Sequence, residues 1–138
     1  MIQKGKGHSF LCDDGFRNVV HAGEQGFELK VRLTSYRSLP LSCIEGMELK
    51  VDGETIPAEE IVFILNGCRF HLADFAPLRN VWWFILDHAT LFIPKAQGLS
   101  AGEHEVEGTL ITVEPYVTAG RFSFYTPAKK RLLLEQDI

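Results

Sequence analysis

The residues able to do chemistry are five histidines and a scatter of carboxylates, and their spacing assembles no self-contained site. His8, His21, His71, His88 and His104 form no HxH or HExxH pair, the spacings that bring two imidazoles to one metal. A barrel can still gather ligands from distant strands, so spacing leaves a cupin-like site open. Each histidine falls near a turn or strand end, however, where a solvated imidazole is the ordinary outcome. Glu103, Glu105 and Glu107 repeat with period two and share one face of a strand, which reads as a solvated face. Asp13-Asp14 before Gly15 has the composition of a turn, and Glu59-Glu60 is the other adjacent acidic pair. No glycine-rich phosphate loop is present, and no serine sits in a nucleophile elbow. Cys12, Cys43 and Cys68 are an odd number without CxxC spacing, expected as small buried hydrophobes in a reducing cytoplasm rather than as a disulfide framework.

Recognition chemistry is better represented than catalytic chemistry. The stretch from Val31 to Ser42 changes character halfway: alternation ends near Thr34, yet Tyr36, Arg37, Leu39, Pro40 and Leu41 follow where a solvated connector would carry Gly, Asp or Asn. Tyrosine and arginine are over-represented at binding hot spots, so Tyr36, Arg37, Ser38, Leu39 and Pro40 form a candidate contact loop. The same residues also suit a self-packed loop with Leu39 and Leu41 plugging one end of the fold. Trp82 and Trp83 are neighbours in a predicted strand and must point to opposite faces: one fills the core, and the other meets solvent, a ligand or a partner. Arg17 and Asn18, at the start of a strand, pose the same choice.

Length and composition set the frame. At 138 residues with 46% hydrophobic and 23% charged residues, the chain is expected to fold as one globular domain over 1–138, with 1–7 a loose arm. The net charge of −4 and the scattering of lysines and arginines along the sequence argue against nucleic acid, which requires a basic face. The apolar runs Val81–Leu86 and Leu132–Leu134 fall far short of the ~20 residues of a membrane span. Met1–Gly7 is followed by only Phe10 and Leu11, which is no signal-peptide core.

The elements that must position these side chains are strands. Gly26 to Thr34 alternates, with Phe27, Leu29, Val31 and Leu33 on one face and Glu28, Lys30, Arg32 and Thr34 on the other. Strands are also expected at Gly15–Val20, Met47–Val51, Ile61–Leu65, Cys68–Leu72, Asn80–Ile85, Thr90–Ile93, Glu103–Val113, Arg121–Tyr125 and Lys129–Leu134, with a turn of helix at Pro57–Glu60 and a bulge at Gly108. Asp52-Gly53 and Asn66-Gly67 have the composition of tight hairpin turns. About nine or ten short strands with turn signals between them predict an all-β fold: a two-sheet antiparallel β-sandwich, jelly-roll or immunoglobulin-like.

The chain resembles a known family. Gly15-Phe16-Arg17-Asn18-Val19, Gly26-Phe27, Val31-Arg32, Tyr36-Arg37-Ser38-Leu39-Pro40-Leu41-Ser42, Ile44-Glu45 and Val51-Asp52-Gly53-Glu54 are similar, in order and spacing, to the beta subunit of bacterial C-glycoside deglycosidases. Asn66-Gly67, Trp82 or Trp83, Ala89-Thr90-Leu91, Gly98-Leu99 and Gly102-Glu103-His104-Glu105-Val106 extend the match over residues 15–107. The resemblance implies a small β-sandwich subunit beside a larger sugar-isomerase-like TIM-barrel alpha subunit, which carries a divalent metal, typically manganese, and the acid–base residues. The implied substrate is a 3-oxo-C-glycoside supplied by a separate oxidoreductase. Its ketone acidifies the C2 proton, and loss of that proton lets the C–C glycosidic bond break by β-elimination. On this resemblance the present chain carries no catalytic residue, metal or cofactor. Tyr36 to Pro40 would dock on and cover the partner's site, with Arg17, Asn18, Arg32, Trp82 and Trp83 as possible interface. A cytoplasmic location and self-association in isolation are further expectations. Two other readings stay open: a stand-alone carbohydrate-binding module stacking sugars on Tyr36 and a tryptophan, and a small cupin-like metal enzyme.

Overall fold

The computed structural model describes residues 9–34, 38–113 and 123–136. Eleven strands run through them in chain order: β1 (Arg17–His21), β2 (Glu24–Arg32), β3 (Leu39–Pro40), β4 (Ile44–Val51), β5 (Glu54–Ile56), β6 (Val62–Leu65), β7 (Cys68–His71), β8 (Trp82–Trp83), β9 (His88–Pro94), β10 (Glu103–Val113) and β11 (Ser123–Leu133). Single 3-10 turns sit at Leu41–Cys43, Ala58–Glu60 and Leu72–Asp74. One sheet has the order β1-β2-β9-β6-β7, a second β11-β10-β4-β5, and β3 with β8 makes a small third. Every strand pair within these sheets is antiparallel, and the architecture is a β-sandwich.

Alternation builds the core. Phe27, Leu29, Val31, Phe63, Leu91 and Ile93 of the first sheet face Met47, Leu49, Val51, Val106, Leu110 and Leu132 of the second in one buried cluster, each worth about 1.5–3 kcal/mol of burial. Two hairpin turns follow the sequence signals: Asp52-Gly53 and Asn66-Gly67 each hold two successive positive φ angles, as does Ala22-Gly23 between β1 and β2, the geometry that tight antiparallel turns require. One side of the sandwich is closed by the chain ends. Leu11 bridges Val31 of β2, while the Glu135 N–H donates to Phe16 O at 2.8 Å.

Three expectations need correction. Gly108 is not a bulge: a Cβ there would lie 3.1 Å from Leu11 and 3.2 Å from Phe10, so glycine admits the N-terminal segment against β10. The irregularity falls between Ile111 and Thr112, opposite β4. The two strands expected at Arg121–Tyr125 and Lys129–Leu134 meet the structure as one, β11, which accommodates Pro127 because it lies at a sheet edge. The strand expected over Asn80–Ile85 shrinks to Trp82–Trp83, because Trp83 turns wholly inward and its indole N–H donates to Asp87 O at 2.9 Å. That bond folds Phe84–Asp87 into a turn.

Candidate partner-docking surface

β3 and β8 cap one end of the sandwich. Leu39 pairs with Trp83 and Pro40 with Trp82; Leu39, Leu41 and Trp83 are fully buried, and Pro40 is buried with them. The inward half of this segment therefore plugs the core, as one of the two sequence readings had it. Ser38 holds the loop that follows β8: its Oγ accepts the Ile85 N–H at 2.9 Å. Tyr36 and Arg37 lie outside the described residues. Beside Ser38 stands an apolar rim, with Trp82 39% exposed, Phe84 53%, Ile85 38% and Leu86 89%. Sequence reasoning took Asn80–Ile85 for strand and missed Phe84 and Ile85 as surface beside Leu86. The available signal was the length of the apolar run set against the Asp87 turn that ends it.

The outer face of the five-stranded sheet holds a second feature the alternation pattern concealed. Glu28 lies in the row expected to face solvent, yet is 2% exposed. Arg17 pairs across the β1–β2 hairpin and its Nε donates to Glu28 Oε2 at 2.9 Å, while His21 Nε2 lies 2.9 Å from Oε1. Burial pushes the Glu28 pKa up, but the hydrogen bonds of His21 and Arg17, with Lys30 nearby, outweigh it and hold the carboxyl below its ordinary value. Arg17 is thus engaged in the sheet's own ion pair. Arg32, further along β2, faces the same side. Burial also raises the Cys12 thiol pKa, an effect that the Arg32 guanidinium opposes.

Asn18 serves the fold. Its Nδ2 donates to Leu99 O and its Oδ1 accepts the Leu99 N–H, both at 2.9 Å. Close by, His104 is 6% exposed, its Nδ1 2.6 Å from Asp52 Oδ2 and its Nε2 2.7 Å from Ser100 O. Its ring also lies edge-on to Phe16. The expectation of solvated histidines fails here, because His104 takes an inward position of β10. These contacts border an open cavity of about 740 Å³ between the β4–β5 hairpin and the loop after β9, lined by Phe27, Ile56, Ile93, Glu60, Lys95 and His104 among others. With both nitrogens facing acceptors, His104 has no lone pair to offer a proton or a metal. Among the described residues no group of three or more His, Cys, Asp or Glu is placed to hold a metal ion, and no helix is long and apolar enough to cross a membrane. Cys12 and Cys43 are buried as expected, but Cys68 is exposed because it follows the Asn66-Gly67 turn on edge strand β7.

Comparison with known proteins places the chain in a family of enzyme subunits. Residues 7–116 match the family described as C-glycoside deglycosidase beta subunit. A C-glycoside deglycosidase beta subunit of Microbacterium trichothecenolyticum is 40% identical over 89 residues, 64% of this chain and 67% of the relative. A 3'-dehydrocarminate deglycosidase beta subunit of a Microbacterium species is 38% identical over 96 residues, 70% of this chain and 72% of the relative. One from Arthrobacter globiformis is 35% identical over 89 residues, 64% and 68% respectively. With the match spanning most of the sandwich, the chain belongs to the C-glycoside deglycosidase beta subunit family.

Proposed function

We propose that this chain is the accessory subunit of a heteromeric C-glycoside deglycosidase, docking through its capped end on a metal-dependent TIM-barrel alpha subunit and covering that subunit's active site. A beta subunit implies an alpha partner, and the observation that carries the reading is the rim of Trp82, Phe84, Ile85 and Leu86. An apolar patch of this kind on a soluble surface marks an interaction site. Ser38, which leads into β3, ties the rim to the cap by accepting the Ile85 N–H. The partner would supply the divalent metal, manganese, and the acid–base residues for β-elimination from a 3-oxo-C-glycoside bound at the shared site. This chain's contribution is to exclude water there, which strengthens the electrostatics at the reacting centre. The complex would work in the cytoplasm. Without its partner, the same rim would drive self-association.

The test is co-purification with the alpha subunit and assay of C–C cleavage on a 3-oxo-C-glycoside. Leu86→Asp and Trp82→Ala should each weaken the complex by about 2 kcal/mol or more and lower cleavage in parallel. Full complex formation and full activity in both variants would sink the reading.

A further inference from the structure

The end of the sandwich opposite the cap is open. β9 begins at His88, next to the Asp87 carbonyl that accepts the Trp83 indole N–H, and ends at Pro94, which lines the cavity of about 740 Å³. That volume lies within the range of small-molecule sites. Its floor is the exposed margin of the core, where Phe27, Val51 and Ile93 are buried and Ile56 and Leu99 are partly so. One wall is β5 with the 3-10 turn that follows it, and the other is the loop from Lys95 to Ser100.

The β5 wall offers backbone as well as side chains. β5 is the edge of its sheet and pairs with β4 alone. Successive residues of a strand point to opposite faces, yet Glu54, Thr55 and Ile56 all line the cavity. The cavity therefore meets β5 along its edge. Among the described residues, the backbone groups of these three bond only within the β4–β5 ladder. An unpaired edge of this kind accepts a further extended peptide.

The charges around the cavity are divided between its walls. Asp52, Glu54, Glu60, Lys95 and His104 are the ionisable residues that line it. Asp52 is engaged within the wall: Oδ2 meets His104 Nδ1 at 2.6 Å and Oδ1 accepts the Glu105 N–H at 2.9 Å, so the His104 ring answers its charge. Among the described residues, the side chains of Glu54, Glu60 and Lys95 have no hydrogen bond or ion pair. The two acids stand on β5 and the turn after it, and the lysine stands in the loop across the gap. A lone cation would meet the lysine, and a lone anion would meet the acids. A molecule carrying both charges pairs with each wall.

We propose that this cavity binds a short peptide with free termini. Its peptide group adds to the edge of β5, its ammonium faces Glu54 and Glu60, its carboxylate faces Lys95, and an apolar side chain covers Ile56 and Leu99. The site lies at the opposite end from the docking rim and does not depend on the docking role.

The experiment titrates the purified full chain with the dipeptide leucyl-phenylalanine and follows backbone amide resonances. Those of Thr55, Ile56, Lys95 and Leu99 should shift, while those from Trp82 to Leu86 stay in place. N-acetylation or C-terminal amidation of the dipeptide removes one charge, and each should weaken binding about tenfold. Lys95→Ala should weaken the free dipeptide about tenfold and erase the difference between it and its amide. The double variant Glu54→Gln, Glu60→Gln should likewise erase the difference between the free and acetylated forms. All three positions are exposed, so both variants should melt with the wild type. No shift at millimolar dipeptide, shifts confined to the rim, or equal affinity for the free and blocked forms would overturn the proposal.

Discussion

His104 and Asp52 form a buried-to-surface clasp, with Nδ1 and Oδ2 2.6 Å apart and the other ring nitrogen 2.7 Å from Ser100 O. Both imidazole neighbours are acceptors, so the ring must carry both protons to satisfy them. Burial alone would lower the His104 pKa; the bonds to Asp52 and Ser100 outweigh it and raise it above the ordinary 6.5. His104 and the backbone N–H of Glu105 in turn hold the Asp52 carboxyl below its ordinary value. A raised histidine contributes stability that is complete below its unfolded value and lost as pH rises through the folded one. A lowered aspartate contributes stability that is present above its unfolded value and lost as pH falls through the folded one. The clasp should therefore stabilise most strongly in the mildly acidic window between the two. Melting curves of wild type and His104→Gln across pH should differ most there and converge on the alkaline side; a pH-independent difference would refute the charged clasp.

Asn18 and Gly98 should behave as one unit. Gly98 has φ +66°, and a Cβ there would lie 2.5 Å from Asn18 Oδ1, the atom that accepts the Leu99 N–H. Asn18→Ala should cost about 1–3 kcal/mol through the unsatisfied Leu99 amide groups. Gly98→Ala should cost a comparable amount through backbone strain and collision. Combined, they should cost less than their sum by about 0.5 kcal/mol or more, since removing the amide relieves the collision. Urea denaturation of the cycle decides, and strict additivity would show that the clamp does not limit Gly98.

The alternation of Phe27, Leu29, Val31 and Leu33 made the sandwich legible, as did the Asp52-Gly53 and Asn66-Gly67 turns, because side-chain period and turn chemistry are local properties. The end-cap plug by Leu39 and Leu41 was legible as one of two outcomes. The Arg17–Glu28 pair was not, because it depends on the register of the β1–β2 hairpin, and the neighbours of β9 were not, because strand order is set by long-range packing that no single strand encodes. Asn18 was left between two readings because its backbone partner, Leu99, lies 81 residues away. Trp82 and Trp83 divided as strand geometry demands, one buried and one exposed. Phe84 and Ile85 were lost because an apolar run looks identical whether it fills a core or lies at the surface.

Glu28 should be the most costly carboxylate to neutralise on the sheet's outer face. Glu28→Gln keeps the shape but leaves Arg17 Nε and His21 facing a neutral amide. Both partners are partly exposed, so screening limits the loss to about 1–2 kcal/mol at neutral pH. Because the Glu28 pKa is lowered on folding, its contribution is present above the ordinary carboxylate value and fades as pH falls through the folded one. Denaturant titrations of wild type and variant should thus converge in acid. A gap that persists there would assign the effect to packing instead of charge.

Gly26 should tolerate no side chain. It sits on β2 opposite Pro94, and a Cβ would lie 2.1 Å from Ile93 O and 2.9 Å from Phe92 Cε1. The nearest atom is backbone, which cannot rotate aside, so accommodating a methyl group requires β2 and β9 to separate locally. That separation would break ladder bonds at the middle of the five-stranded sheet and lift the cover from Phe92. Gly26→Ala should therefore cost several kcal/mol, in the range of severe backbone collisions. By contrast, Gly46→Ala, whose Cβ would meet only Ile111 Cδ1 at 3.7 Å, should fall within about 1 kcal/mol of wild type. Comparing the two by thermal denaturation separates close backbone approach from a general intolerance of strand substitution, and equal melting temperatures would contradict the β2–β9 contact.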